Sequence, residues 1–286
     1  MTSNDDSNRV FANWSESAQA WDKHREARRM LSGGAIAPLN REAAIPQTPP
    51  SVPYNVLEVA AGPGDASLDL AEELGPNATV WSTDLVPEMV EGGRREGARR
   101  GVANVRFQEC RGEQLPFETG FFDAVICRFG IMFFSDPLAG VREALRVLKP
   151  GGRVAYCVWG AYATNPYHHV LTDVLNRYVP GPPAAPDAPG AFRFAEPGKL
   201  KAILIEAGAQ DVRECVYPFR IEAPLTFDQF FEIRTEMSDS LRDKLRRMPV
   251  DELLRFKEDV RKNAAPYFSA GGCSLPAEVV LVSGRR

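Results

Sequence analysis

The stretch Val56-Leu57-Glu58-Val59-Ala60-Ala61-Gly62-Pro63-Gly64-Asp65, with Asp84 twenty positions after Gly64, narrows most what this chain can become. An apolar run leads into two glycines, and the segment from Ser67 to Leu74 has helical character. That order predicts a buried parallel strand, a tight turn and a helix N-terminus. Glycines at such a turn let the backbone approach a ligand where a Cβ would collide. The run Thr79-Val80-Trp81-Ser82-Thr83 predicts a second strand that delivers Asp84 at its C-terminal end. A carboxylate there accepts hydrogen bonds from both hydroxyls of a ribose, so the pattern points to a ligand that contains a nucleoside.

Two such ligands compete, a nicotinamide dinucleotide and S-adenosylmethionine. The dinucleotide fingerprint has a third glycine three residues after the second, where helix and strand pack closely. Ser67 stands at that position. A pyrophosphate also needs helix N-terminal amides presented to it, whereas Glu58 precedes the turn and Asp65 follows it. Two acids beside the turn suit the ammonium of a methionine moiety better than two phosphates. A sheet that binds no cofactor would account for the glycines but not for Asp84.

At 286 residues the chain has room for one large α/β domain with an insertion, or for two small domains. Its net charge is −4, and its densest basic cluster, Arg94, Arg95, Arg99 and Arg100, is interleaved with Glu91 and Glu96. That is a solvated helix face rather than a phosphate-tracking surface. No apolar run approaches the roughly 20 residues of a membrane span, and the start Met-Thr-Ser-Asn-Asp-Asp lacks the pattern of a signal peptide. Five cysteines without metal-ligand spacing read as reduced thiols, so a cytoplasmic protein with no metal is expected.

Along the chain, Phe11, Trp14, Ala18 and Trp21 recur at helical spacing within residues 9–31, and Pro46 to Pro53 reads as a stiff linker. Strands and helices then alternate: a helix over Pro87–Arg100, strands over Val102–Gln108 and Phe121–Cys127, and a helix from Pro137 to Leu148. Lys149-Pro150-Gly151-Gly152 is expected to stop that helix before a strand over Arg153–Trp159. Alternation of this kind means a parallel sheet covered by helices on both faces. Further on, a helix over Pro166–Tyr178, a loop from Pro180 to Gly190, a helix over Pro197–Ala207 and a strand over Asp211–Phe219 are predicted. Thr226-Phe227-Asp228-Gln229 has the spacing of a capping box, opening about forty residues of helix broken at Met248-Pro249. Glu278 to Val282 reads as the last strand. The expected divisions are a helical cap over 1–45, a core over 46–223 and 277–286, and a helical lid over 224–276.

Glu58-x-x-x-Gly62-x-Gly64, Asp84, Leu115-Pro116-Phe117, Phe122-Asp123-Ala124-Val125 and Leu148-Lys149-Pro150-Gly151-Gly152, in this order, resemble class I S-adenosylmethionine-dependent methyltransferases. They look most like the small-molecule branch related to the quinone-biosynthesis enzymes, and the resemblance spans roughly residues 10 to 220. It implies a Rossmann-like, seven-stranded, mostly parallel sheet of order 3-2-1-4-5-7-6, whose strand 7 is antiparallel. It further implies S-adenosylmethionine as cofactor and S-adenosylhomocysteine as product. By position, the Ala60 carbonyl and the turn at Gly62 and Gly64 would hold the methionine end, with Glu58 in support. Asp84 would take the ribose, Leu85 and Met89 would pack near adenine, and Gly112 would offer its N–H to the ring with Glu113 beside it. Arg128 would line the sulfonium region, and Trp14 would belong to the cap. Arg111 stands where many relatives have an aspartate that accepts from the adenine amino group. Arginine has no acceptor, so that contact is lost, moved or replaced by stacking.

Methyl transfer from a sulfonium is an in-line displacement that depends on positioning and exclusion of water. Where the acceptor carries a proton, a general base is sought among the titratable residues at the rim. His168 and His169 follow strand 5, where the rim of the site is expected; helical neighbours point about 100° apart, so at most one faces the pocket. His24 reads as a surface residue. Asn165-Pro166-Tyr167 invites comparison with adenine-amino methyltransferases, but that motif belongs after strand 4, where Arg128-Phe129-Gly130 stands, and needs a second proline. Nucleic acid is therefore not expected as a partner. Phe129, Phe133, Phe134, Trp159, Phe227 and Phe230 form a candidate wall for an apolar acceptor. The sequence thus predicts a metal-independent methyltransferase for a small, partly apolar acceptor, methylated on O, N, S or C. The alternatives are a protein that binds S-adenosylmethionine without transferring methyl, such as a pericyclase or a regulatory subunit, and a nicotinamide oxidoreductase.

Overall fold

The computed structural model describes residues 3–181, 185 and 187–286. Residues 182–184 and 186, within the loop expected over 180–190, lie outside the described residues, as do the first two. The chain opens with α1 (Ser3–Lys23), α2 (Arg25–Ser32) and α3 (Ile36–Glu42). The expected single amphipathic segment is thus two helices, separated at His24, whose ψ of 23° departs from the helical range. The alternating core follows: β1 (Tyr54–Val59), α4 (Asp65–Leu74), β2 (Ala78–Asp84), α5 (Pro87–Arg100), β3 (Val105–Glu109), β4 (Phe122–Arg128), α6 (Pro137–Val147), β5 (Leu148–Trp159), α7 (Pro166–Tyr178), α8 (Lys199–Glu206) and β6 (Gln210–Ala223). Three further helices, α9 (Phe227–Met237), α10 (Asp239–Arg246) and α11 (Val250–Ala264), precede the two-residue β7 (Phe268–Ser269) and β8 (Gly272–Arg285).

The sheet runs β3-β2-β1-β4-β5-β8-β6, with β7 added against β8. This is the expected order, the strand expected seventh being eighth because of the short β7. β1 through β5 pair in parallel, and β8 runs antiparallel to both β5 and β6. β8 is far longer than the Glu278–Val282 run suggested: it pairs with β6 from Ala223↔Cys273 to Gln210↔Arg285. The central strands are dry on both faces, with Val56, Leu57, Ala124, Val125, Val154 and Ala155 all fully buried, as a helix-covered parallel sheet requires.

Local boundaries follow from capping chemistry. Gly64, at φ +69°, caps α4, which therefore begins at Asp65, two residues earlier than expected. The Asp136 carboxylate accepts from the Ala139 N–H at 2.9 Å, with Pro137 at the first helical position of α6. The capping box is present: Gln229 N–H donates to Thr226 Oγ1, and Thr226 N–H donates to Gln229 Oε1. The helical run it opens breaks twice, at Ser238 as well as before Pro249. Lys149-Pro150-Gly151-Gly152 does not separate helix from strand. β5 starts at Leu148, and the irregularity shows as a register shift against β4 between Phe122 and Ala124, while Lys149 pairs with Asp123 at 2.7 Å.

Asn165 has a structural role. It is fully buried, its Nδ2 donates to the carbonyls of Ala161 (2.8 Å) and Glu278 (3.1 Å), and its Oδ1 accepts from the Glu278 N–H (2.9 Å). It joins the β5–α7 connection to β8. Replacement by alanine removes the acceptor of the Glu278 N–H, while the Ala161 and Glu278 carbonyls keep the Thr164 and Gly160 amides, so Asn165→Ala is expected to cost about 1–3 kcal/mol. Denaturant unfolding measures this, and an unchanged midpoint would refute the assignment.

Candidate functional site

The register Tyr54↔Ala78 through Val59↔Thr83 places the turn after β1 beside the end of β2, and the Ala61 N–H closes on the Thr83 carbonyl at 2.8 Å. Ala60, Gly62 and Gly64 all have positive φ, +54°, +59° and +69°. The two glycines are needed for different reasons. A Cβ on Gly64 would lie 2.9 Å from both Phe107 and Ser82 Oγ, so Gly64 is where helix, strand and neighbouring strand pack. A Cβ on Gly62 would meet nothing nearer than the Trp21 ring at 4.0 Å. Gly62 thus faces the N-terminal helices across a gap.

Asp84 is held by backbone amides: Gly62 N–H donates to Oδ2 at 2.8 Å and Val86 N–H to Oδ1 at 2.9 Å. Burial pushes its pKa up, while the amides of Val86, Gly62 and Leu85 pull it down. Glu58, 1% exposed, accepts from Ser67 Oγ at 2.5 Å. Burial raises its pKa against the opposing effects of Arg128, Ser67 and Arg28. The position a dinucleotide fingerprint reserves for glycine is therefore occupied by a hydroxyl engaged with Glu58.

The two acids beside the turn are not open to an ammonium. Asp65 accepts from Arg25 Nη1 and pairs with Arg28 Nη2, both from α2. Arg25 also donates to the Pro63 and Gly92 carbonyls at 3.2 Å and to Asp22 at 2.7 Å. Arg28, 4% exposed, lies 5.0 Å over the Trp21 ring. Burial, then the charges of Arg128 and Arg25, lower its pKa to about 9. Arg128 donates to Ser32 Oγ at 2.8 Å. Three guanidiniums thus surround Asp65 and a Glu58 whose charged form is disfavoured, and the balance is cationic. This reverses the expectation of an acidic turn. Arg25 and Arg28 were missed because their partner, Asp65, is about forty residues away in sequence.

On the other side of Asp84, Leu85 is half-buried, and Met89 is buried with Ala18 and Val86 against Trp14 and Trp21. Gly112 has no room for a side chain, since a Cβ would lie 2.3 Å from the Phe134 ring. Glu113 faces the neighbouring loop, where its Oε1 accepts from the Ser135 N–H at 2.9 Å. Arg111 is exposed and its backbone bridges to Gln114. Trp14 packs edge-on against Phe133 at 5.1 Å and Trp21 at 5.3 Å, which places Phe133 under the cap and apart from the other expected pocket aromatics.

Those aromatics gather past the ends of β4 and β5. Phe129, at φ +58°, stacks on Trp159 at 4.5 Å, and Trp159 contacts Tyr167 at 5.9 Å and His168 at 4.7 Å. Phe192 closes on His168 at 4.9 Å and Phe230 on Tyr167 at 6.0 Å. Phe227 packs instead on Phe231, Phe268 and the Arg261 guanidinium, away from His168. The two histidines separate as helix geometry requires. His169 turns toward Asp173 and Tyr162. The buried His168 Nε2 has no partner, and burial, with the charges of Arg234 and His169, holds its pKa well below the ordinary value. His168 is therefore a neutral imidazole.

His24 is not a free surface residue: its Nε2 lies 2.7 Å from Glu236 Oε2 on α9. His24, Glu232 and Glu236 bring three potential ligand atoms within 4.8 Å of one another, an arrangement compatible with a metal ion. The Lys23 ammonium stands against both carboxylates, 2.7 Å from Glu232 and 2.9 Å from Glu236.

Residues 36–177 match the model of the ubiE/COQ5 methyltransferase family. A demethylmenaquinone methyltransferase of Deinococcus radiodurans is 35% identical over 151 residues, 50% of this chain and 61% of that protein. An uncharacterized protein of Mycobacterium tuberculosis is 40% identical over 104 residues, 36% of each chain. The chain thus spans between about a third and three fifths of the length of these relatives. Among solved structures, the YcgJ protein of Bacillus subtilis superposes with a TM-score of 0.56 at 20% identity, covering 89% of this chain and 98% of that one. The [4+2]-cyclase SpnF superposes with a TM-score of 0.53 at 17% identity, covering 95% and 96%. These likenesses show the shared fold. The sheet order is that of the shared fold, and in its glycine turn, family match and relatives the chain is similar to class I S-adenosylmethionine-dependent methyltransferases of the quinone-biosynthesis type.

Proposed function

We propose that this protein transfers a methyl group from S-adenosylmethionine to a small, ring-bearing acceptor without a metal. The observation that carries this is the Asp84 carboxylate, fixed by the amides of Gly62 and Val86 beside the glycine turn. Asp84 takes the two ribose hydroxyls, and Leu85, Met89 and the Gly112 amide border adenine. Gly62, Gly64 and the Ala60 carbonyl hold the methionine end. There the cationic balance matters: Arg28, with Arg25 and Arg128 near it, takes the methionine carboxylate, and Asp65 offsets part of the guanidinium charge. Trp14 and Trp21 cover the cofactor. The acceptor lies against Phe129, Trp159 and Phe230, where the sulfonium end of the cofactor meets the aromatic wall. There His168, neutral and with Nε2 free, accepts the acceptor's proton. His169, turned to Asp173, is not placed for that role.

The cofactor supplies the electrophilic methyl when bound, and the chain's own residues align donor and acceptor and exclude water. Residues 224–276 are proposed as a lid, since the helices from α9 to α11 are inserted where the sheet needs only a hairpin. The second reading is a protein on this fold that binds the cofactor without transferring methyl, since the fold is shared with a protein named as a [4+2]-cyclase, SpnF. Formation of S-adenosylhomocysteine on incubation with native extract separates the two. No helix among the described residues is long and apolar enough to cross a membrane.

Calorimetry should show S-adenosylhomocysteine binding, weakened about 10–100-fold by Asp84→Ala, the worth of charge-assisted hydrogen bonds of roughly 1.5–3 kcal/mol. Unchanged affinity in the variant would end the cofactor assignment. Because burial raises the Asp84 pKa, protonation competes with ribose binding at a pH above the ordinary aspartate range. Affinity is therefore expected to fall on mild acidification, and Asp84→Asn should bind weakly with that dependence removed. Stability moves the other way. An acid whose folded pKa lies above its unfolded value contributes stability below the unfolded pKa, and that contribution is lost as pH rises through the folded pKa. Acidification through this window thus weakens the ligand complex without weakening the fold through Asp84. A pH-independent affinity in the native chain would contradict the assignment.

A further inference from the structure

Arg234 on α9 is 7% exposed, and its one strong contact is the Tyr167 ring, 4.2 Å below the guanidinium carbon. Its Nε is buried without a hydrogen-bond partner. The acids that share its helix are committed elsewhere: Asp228 to Lys257 (2.8 Å) and Arg261 (2.9 Å), Glu232 to Lys23 (2.7 Å), Glu236 to Lys23 and His24. On α7, the facing helix, Asp173 accepts from Tyr162 at 2.7 Å. Among the described residues no carboxylate pairs with Arg234. A buried guanidinium is ordinarily paired, because removal from water without a counter-charge is costly. Tyr167 also contacts His168 at 5.1 Å, and the buried Nε2 of His168 likewise lacks a partner. Two unsatisfied polar groups therefore flank one aromatic ring, inside the wall formed by Trp159, Phe192 and Phe230. Such groups call for an explanation in a folded protein.

We infer that Arg234 is the counter-ion of an acceptor bearing an oxyanion on a planar ring, an arylcarboxylate or an ionised phenol. The inference rests on the methyl-transfer assignment, since it takes the aromatic enclosure as the acceptor's site. The guanidinium fork matches an oxyanion bidentately, and the surrounding rings take the apolar plane. The cofactor's own carboxylate is not the missing anion, because Arg25 and Arg28 already stand at the glycine turn. A neutral ring of the same shape would leave Arg234 unpaired, so the site discriminates by charge.

The test uses the full chain loaded with S-adenosylhomocysteine and two probe sets, read by calorimetry. The first is benzoate, 4-hydroxybenzoate and 2-naphthoate against their amides. The second is 4-nitrophenol above and below its pKa, whose absorbance also reports ionisation in the site. The expected result is that the anionic member of at least one set binds about tenfold or more tightly than its neutral counterpart. Which set does so distinguishes a carboxylate from a phenolate. Arg234→Met should abolish the preference, Arg234→Lys should retain part of it, and both should bind S-adenosylhomocysteine as the native chain does. Ligand-free Arg234→Met should melt no lower than the native chain, since it removes an unpartnered buried charge. Equal binding of anion and neutral, no binding by any probe, or a lowered melting temperature in Arg234→Met would overturn the inference. Failure of the native chain to bind S-adenosylhomocysteine would instead overturn the methyl-transfer assignment, while the anion preference is still read on the unloaded chain.

Discussion

The Gly62 amide and the Asp84 carboxylate meet at 2.8 Å, and much of the site follows from that contact. Parallel pairing of β1 with β2 fixes the two ends side by side. A parallel ladder leaves the residues beyond the strands without ladder partners, so the turn must satisfy its own amides. Asp84 does this for Gly62 and Val86 at once, which makes the carboxylate part of the turn's construction. Its position is set before any ligand arrives, and burial then makes its charge responsive to pH. On the proposed reading, the acceptor for the two ribose hydroxyls results from an ordinary requirement of backbone accounting.

The N-terminal helices close over this turn by two kinds of contact of very different worth. Lys23 and Glu232 have side chains about half exposed, 54% and 52%, and such solvent-screened pairs contribute little. The Arg25 and Arg28 pairs with Asp65 are buried, with Asp65 at 3% side-chain exposure. Breaking one of these strands a charge out of water, at a cost of roughly 3–5 kcal/mol. The apolar seam of Ala18, Val86 and Met89 with Trp14 and Trp21 adds its own burial. The grip of the cap on the glycine turn is therefore much firmer than its grip on α9.

The sheet was legible in the sequence because its signals are local. Apolar runs mark β1, β4 and β5, Asp136-Pro137 marks the start of α6, and the capping box at Thr226 marks α9. Strand limits were less so: β8 extends well beyond its apolar run because its outer half pairs only with the edge strand β6 and the two-residue β7. Asp84, Gly62 and Gly64 were legible for the same local reason. The charges around them were not. Asp65 reads as an open acid until α2 supplies Arg25 and Arg28, and Glu113 reads as a ligand contact until the Ser135 amide claims it. Arg234 lies in Phe-Glu-Ile-Arg-Thr-Glu, where an arginine reads as a solvated helix face. Only the packing of α9 against Tyr167 buries it.

One short segment connects the two halves of the site. From Lys23 to Arg28 the chain passes from the lid to the glycine turn: Lys23 and His24 meet Glu232 and Glu236 on α9, while Arg25 and Arg28 meet Asp65 at the start of α4. Arg28 also bears electrostatically on Tyr167, whose ring carries Arg234 on α9. On the proposed reading, a cofactor at the glycine turn lies beside Trp21 and bears on α2, which is pinned to that turn through Asp65. The contacts that yield first are the exposed ones to α9, being the weakest. If residues 224–276 act as the proposed lid, opening at α2 also loosens α9, which carries Arg234. On that reading the six residues from Lys23 to Arg28, in which helical continuity is broken at His24, would couple access of cofactor to access of acceptor.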